Sequence, residues 1–223
     1  AFKIASIDAN NYQFCEFIAK MRKPTIISTG MCSYKEILKT QKIFKKYKTP
    51  HIFLHCTSAY PTNEKDKNLN CIPVMSKLLK DEIGFSGHGV TIAGSAGAVA
   101  LGAVIVEKHV TLNKKMLGSD HAASLEFKEF KYLIDICKKI KISLGSSEKG
   151  FQKSEQILQN ILLRKFVVSK KIHKNEKLTK KNIKTAITMR KGGIHPKNYY
   201  SLIGKKVNKS LKVGHILQKK DLN

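Results

Sequence analysis

A chain of 223 residues with 42% hydrophobic content has room for one medium domain and a smaller one, each with a core. Its 42 Lys and Arg against 16 Asp and Glu give a formal charge of +26, a field that attracts phosphates, anionic sugars or nucleic acid. No apolar run reaches 18 residues, so no membrane-spanning helix is expected.

The cations are almost all Lys scattered over ordinary helices. Arginine occurs only at Arg22, Arg164 and Arg190, and no aromatic-rich signature interleaves the lysines. Specific nucleic-acid reading is therefore not expected. Five cysteines, at 15, 32, 56, 71 and 137, show no C-x-x-C spacing and fit a reduced, cytoplasmic setting.

In chain order, short Ile- and Val-rich runs recur: "FKIAS" (2–6), "TIIST" (25–29), "HIFLHC" (51–56), "EIGFS" (82–86) and "AVIVEKHV" (103–110), and the "AVIV" of the last reads as a buried strand with its ionisable residues at the outward tip. Segments with helical periodicity lie between them. Tyr12, Cys15, Ile18 and Ala19 share one face, as do Ile37, Leu38, Gln41, Phe44 and Tyr47. This rhythm predicts five βα units, the last helix covering 126–145 with Ser124 as its cap and Gly145 at its end. Ser6, Ser28, His55, Ser86 and His109 fall at or near the strand ends. That is where a (β/α)₈ barrel builds its site. Five units do not close such a barrel, so the sheet is either open or lacks three strands at the front.

After Gly145 the βα rhythm stops. A polar stretch, 146–160, reads as a linker, and 161–223 as a small, mostly β module with tight turns and a short helix within 174–183.

His88 and His109 lie one βα unit apart, each at a strand end. Neighbouring parallel strands are about 4.8 Å apart. Two imidazoles leaving adjacent strand ends can therefore converge on one divalent metal and leave positions free for water and substrate. Beside them, Glu107 and Lys108 alternate faces, so one supports the site while the other meets a helix.

"FKIAS", "ISTGM", "HCTSAYP", "GFSGHG", "ALGAVIVEKHVTL" and "GSDHAASLE" together resemble the sialic acid synthase family, in its order and spacing and over essentially the whole chain. The wording resembles the phosphate-using animal branch more than the usual bacterial form. The resemblance implies a partial TIM barrel (strands 4–8, residues 1–145) followed by a small SAF, or antifreeze-like, β-clip domain (161–223). The activity it implies condenses phosphoenolpyruvate with N-acetylmannosamine or its 6-phosphate, giving N-acetylneuraminate or its 9-phosphate. His88 and His109 would be ligands of a divalent metal, Mn2+ or alternatively Mg2+ or Co2+. Lys3, Ser6, Ser28 and Ser86 would hold the phosphoenolpyruvate phosphate. Ser58, Tyr60 and Asp120 match sugar-contacting positions, and Asp8 matches an acidic residue near the substrate. In the family's domain-swapped homodimer, an Arg matching Arg190 reaches the N-acyl group of the partner's sugar. Where the family carries Pro and Gly after that Arg, this chain has Lys191 and Gly192.

The family's first three strands have no counterpart here, so the chain reads as N-terminally truncated and inactive alone. Two other readings compete: a catalytically inactive remnant that still binds sugar or metal, and a basic nucleic-acid-binding protein.

Overall fold

β-branched runs make strands and the amphipathic runs between them make helices that return the chain to the next strand. The computed structural model describes residues 1–190 and 192–223 and divides into two compact units, Ala1–Ser146 and Ser147–Asn223. The first contains β1 (Phe2–Ile4), α1 (Tyr12–Lys20), β2 (Thr25–Ser28), α2 (Tyr34–Lys46), β3 (His51–Cys56), α3 (Cys71–Leu79), β4 (Ile83–Gly87), α4 (Ala93–Ala100) and β5 (Val106–Lys108). The five strands form one parallel sheet in the order β1-β2-β3-β4-β5. This curled sheet is the expected partial barrel.

Ile4, Ile27, Phe53, Ile83 and Phe85 from the strands pack with Cys15, Ile18, Ile37, Phe44, Ile72 and Met75 from the helices. The predicted stripes of α1 and α2 supply that core, although Tyr12, Leu38 and Tyr47 are only partly buried. Ser33 and Glu36 form a reciprocal cap on α2, with Glu36 accepting from the Ser33 N–H at 2.8 Å. Among the described residues no helix is long and apolar enough to cross a membrane.

The run 103–110 is not one buried strand. Only Ala103 of "AVIV" is buried, Val104 is 45% exposed, and the strand is confined to β5 at the sheet edge. Beyond it, β6 (Val110–Thr111) pairs in parallel with β7 (Leu125–Glu126), leaving His109 where the chain departs from the sheet. That pairing also displaces the expected cap of α5 (Phe127–Leu144). Glu126 is the N-cap, in a reciprocal box with Glu129, while the Ser124 hydroxyl donates to the Asp120 carbonyl at 2.7 Å. Gly145 ends the helix at φ +54°, as its lack of Cβ allows.

In the second unit, part of the stretch read as a linker is helical: α6 covers Gln156–Leu162. It leads to β8 (Arg164–Val168), which pairs antiparallel with β9 (Ile183–Ile187). The helix expected within 174–183 is absent; that segment is turns, and the short helix α7 (Tyr199–Leu202) comes later. Phe166, Val168, Ile172, Leu178, Val207, Leu211 and Leu217 make a separate core.

Candidate active site

Polar side chains lie near the C-terminal ends of β1, β2, β4 and β5, and the curl of the sheet brings them together. On β1, Lys3 Nζ donates to Ser28 Oγ at the end of β2 (2.9 Å) and stands 3.5 Å from the Glu107 carboxylate of β5. Ser86, at the end of β4, donates to the same carboxylate at 2.8 Å. One ammonium, two hydroxyls and a carboxylate thus form one cluster. An anion with several oxygens would find a charge and two donors there once Glu107 is exchanged for it.

The imidazoles lie beside that cluster. His88 and His109 stack nearly perpendicular, with centroids 5.1 Å apart. Tyr60 covers His88 at 4.3 Å between centroids and reaches His109 at 5.9 Å. His88 Nε2 is 3.4 Å from both the Tyr60 hydroxyl and Cys56 Sγ. Asp120 Oδ2 lies 3.9 Å from His109 Nδ1. Cys56 links this group to the serines, accepting from Ser6 Oγ at 3.6 Å and lying 3.9 Å from Ser58 Oγ.

Burial is the first cause that pushes His88 down to about 4, and the neighbouring His109 and Lys108 add to it. His88 is therefore a neutral imidazole near pH 7. Burial likewise raises Tyr60, helped by Cys56, Asp120 and Glu107.

Sequence alternation left Glu107 and Lys108 undivided. Glu107 faces the cluster, while Lys108 turns away and donates to the Gly89 and Ala123 carbonyls. His55, the fifth polar strand end, is buried and bonded to the Lys67 carbonyl at 2.7 Å. Asp8 stands apart: its carboxylate accepts from Asn11 Nδ2, and it has no bond to the other candidates among the described residues. Arg190 belongs to the second unit, where its carbonyl accepts from Lys165 Nζ; Lys191 lies outside the described residues.

Two contributors escaped the sequence reading. Cys56 lies within "HCTSAYP" but closes the apolar run of β3, so nothing in the sequence marks it as a site residue. Gly30 donates its N–H to Ser6 Oγ at 3.0 Å, and a Cβ on it would collide with the hydroxyls of Ser6 and Ser58.

Residues 1–149 match the NeuB family and residues 164–223 the SAF domain. The chain belongs to the NeuB family. It is 39% identical to a pseudaminic acid synthase of Campylobacter jejuni over 99% of its length, and 39% identical to the human N-acetylneuraminate-9-phosphate synthase over 92%. It spans 64% and 57% of those relatives. Equal identity to both means that the animal-type wording does not single out that branch. Among solved structures, the N-acetylneuraminic acid synthetase of Leptospira borgpetersenii superposes with a TM-score of 0.67 at 40% identity, over 70% of this chain and 55% of that one.

In the NeuB unit the donor set suits a metal held on one side. Among the described residues His88 Nδ1 is buried without a hydrogen-bond partner, and the neutral ring has a lone pair to give. His109 supplies a second imidazole in contact with the first. Among the described residues no group of three or more His, Cys, Asp or Glu converges as a complete ligand set. Two imidazoles with the remaining positions open to water and substrate are the arrangement these residues fit.

Proposed function

We propose that this NeuB chain carries the metal- and phosphoenolpyruvate-binding part of a sialic-acid-type synthase. The reading rests above all on one observation: an ammonium-serine cluster and an imidazole pair share one strand-end mouth. Its reaction joins phosphoenolpyruvate, an N-acetylmannosamine-type sugar and water to give the sialic-acid-type product and phosphate.

His88 and His109 would hold a divalent ion, with Mn2+ the first candidate. When bound, it supplies Lewis acidity toward the sugar aldehyde. Lys3, Ser28 and Ser86 grip the phosphate, with Ser6 as a further donor. Their charge and hydrogen bonds favour its departure by C–O cleavage after carbon 3 of phosphoenolpyruvate has bonded to the aldehyde carbon and water has added at carbon 2. Tyr60, Ser58 and Asp120 orient the sugar hydroxyls around the imidazole pair. Glu107 keeps Lys3 and Ser86 in place until the phosphate arrives. In a domain-swapped homodimer, Arg190 of the SAF unit would meet the N-acyl group and help exclude water.

Titration of the chain with Mn2+, followed by electron paramagnetic resonance, tests the imidazole pair, and calorimetry with phosphoenolpyruvate tests the cluster. Phosphate release is then compared with N-acetylmannosamine and its 6-phosphate. Saturable binding of both ligands, each lost in its own variant (His88→Ala for the metal, Lys3→Met for the anion), is the expected result. Absence of both bindings sinks the reading.

A further inference from the structure

Lys67 is a lysine with only 4% of its surface exposed, in a loop that the sequence presents as polar. Its side chain passes between two glycines of the following βα unit. A Cβ on Gly89 would stand 2.7 Å from Lys67 Cε and 2.8 Å from Nζ, and one on Gly94 would stand 2.8 Å from Cδ. Gly89 immediately follows His88, and Gly94 lies in the first turn of α4. The ammonium is paired with Glu64 at 2.5 Å, and the same Glu64 oxygen accepts from Thr91 Oγ1 at 3.0 Å. The Lys67 carbonyl accepts from His55 on β3, which fixes the other end of the residue to the sheet.

These contacts tie three pieces together: β3, the 57–70 loop that carries Tyr60, and the 88–92 loop that carries His88. The Thr62 N–H adds one direct bond between the loops, to the His88 carbonyl at 3.1 Å. A buried ammonium is costly where an apolar side chain would fill the space more cheaply. Its charge is what makes the position selective: the paired head fixes where the stem crosses Gly89.

We infer that Lys67 is a positioning residue that pins the Tyr60 loop to the His88 loop and sets the ring of Tyr60 over that imidazole. It touches no substrate and acts through the two loops. The metal-affinity part of the inference rests on the proposed function; the ring-stacking part does not.

Lys67→Met in the full chain keeps the stem and removes the charge, and Glu64→Gln removes the partner. Two signals are read: the ring-current shift that Tyr60 imposes on the His88 ring protons by NMR, and Mn2+ affinity. Loss of the shift and a drop of about tenfold or more in Mn2+ affinity, with unchanged far-UV circular dichroism, are expected. Unaltered His88 resonances in both variants overturn the inference. The NMR signal needs no metal, so a wild-type chain that binds no Mn2+ counts against the metal site alone. A steric cycle gives a second check. Gly89→Ala should lower Tm in the wild-type background and be tolerated in Lys67→Ala, where the stem is gone; an equal cost in both backgrounds also overturns the pin.

Discussion

Lys3 Nζ and Glu107 Oε2 stand 3.5 Å apart although β1 and β5 are the outer strands of a five-stranded sheet. Laid flat, four strand spacings would separate those strands by about 19 Å. The ion pair therefore reports the curl directly, and it places a cation and a carboxylate at the centre of the mouth.

Both side chains of that pair are 37% exposed, so water screens it. Lys3→Met should change stability by less than about 1 kcal/mol. Affinity for phosphoenolpyruvate or inorganic phosphate should instead fall about tenfold or more, because a charge-assisted contact is lost. Calorimetry on folded variant and wild type checks this, and equal affinities would remove Lys3 from the anion site.

Gly30→Ala inserts a methyl where the hydroxyls of Ser6 and Ser58 approach the backbone. Overpacking of this kind costs about 1–3 kcal/mol. The substitution should lower Tm and weaken anion binding together. Ser58→Ala in the same chain should recover part of the Tm loss by vacating the nearer hydroxyl.

Tyr60→Phe keeps the ring over His88 and removes only the hydroxyl that lies 3.4 Å from Nε2. Mn2+ affinity should hold within about twofold, since the stacked ring and the Cys56 Sγ contact that fix the imidazole are retained. Sugar affinity should fall. A Tyr60→Phe chain that loses Mn2+ as completely as His88→Ala would make the hydroxyl, not the ring, the feature that matters to the metal.

In the second unit, Asp221 is fully buried beside His215 (2.7 Å) and Lys209 (2.8 Å). Burial works to raise its carboxyl, but the bonds from Lys209, His215 and the Gln218 N–H outweigh it and hold the group below its ordinary value. The stability it contributes is thus complete above the unfolded aspartate range, about pH 4, and is lost as pH falls through the lower folded value. Asp221→Asn should cost about 2–3 kcal/mol near neutrality, less than a fully buried pair because Lys209 is half exposed. It should also flatten the acid limb of a Tm-versus-pH curve; an unchanged limb would show that another carboxylate governs it.

Much of the candidate site was legible because strand ends repeat. The βα period located Ser28, Ser86, His88 and His109 at corresponding places, and the sheet brings them to one mouth. Periodicity could not tell a central strand from an edge, so "AVIV" read as buried although Val104 is 45% exposed. Nor could it foresee that β6 and β7 pair ahead of α5 and shift the helix cap from Ser124 to Glu126. The polar composition of 146–160 masked the start of α6. Lys67 was invisible for a different reason. A lysine in a polar loop reads as solvated, and the two glycines that enclose it come from the following βα unit, one in its loop and one in α4.

Cys56 faces Ser86 across β3 and β4, and Ser86 faces Glu107 across β4 and β5. A slip of one residue in either pairing would turn a mouth residue toward the helices and a core residue toward the mouth. The mouth therefore acts as a checksum on the sheet: a slip between β3 and β4 displaces the Cys56–His88 contact, and a slip between β4 and β5 displaces the Lys3–Glu107 contact. Any anion or metal that binds the mouth is read by mass action as a vote for the correct register. Including it during refolding should raise the ratio of native to mispaired chain by a factor of one plus the ratio of its free concentration to its Kd.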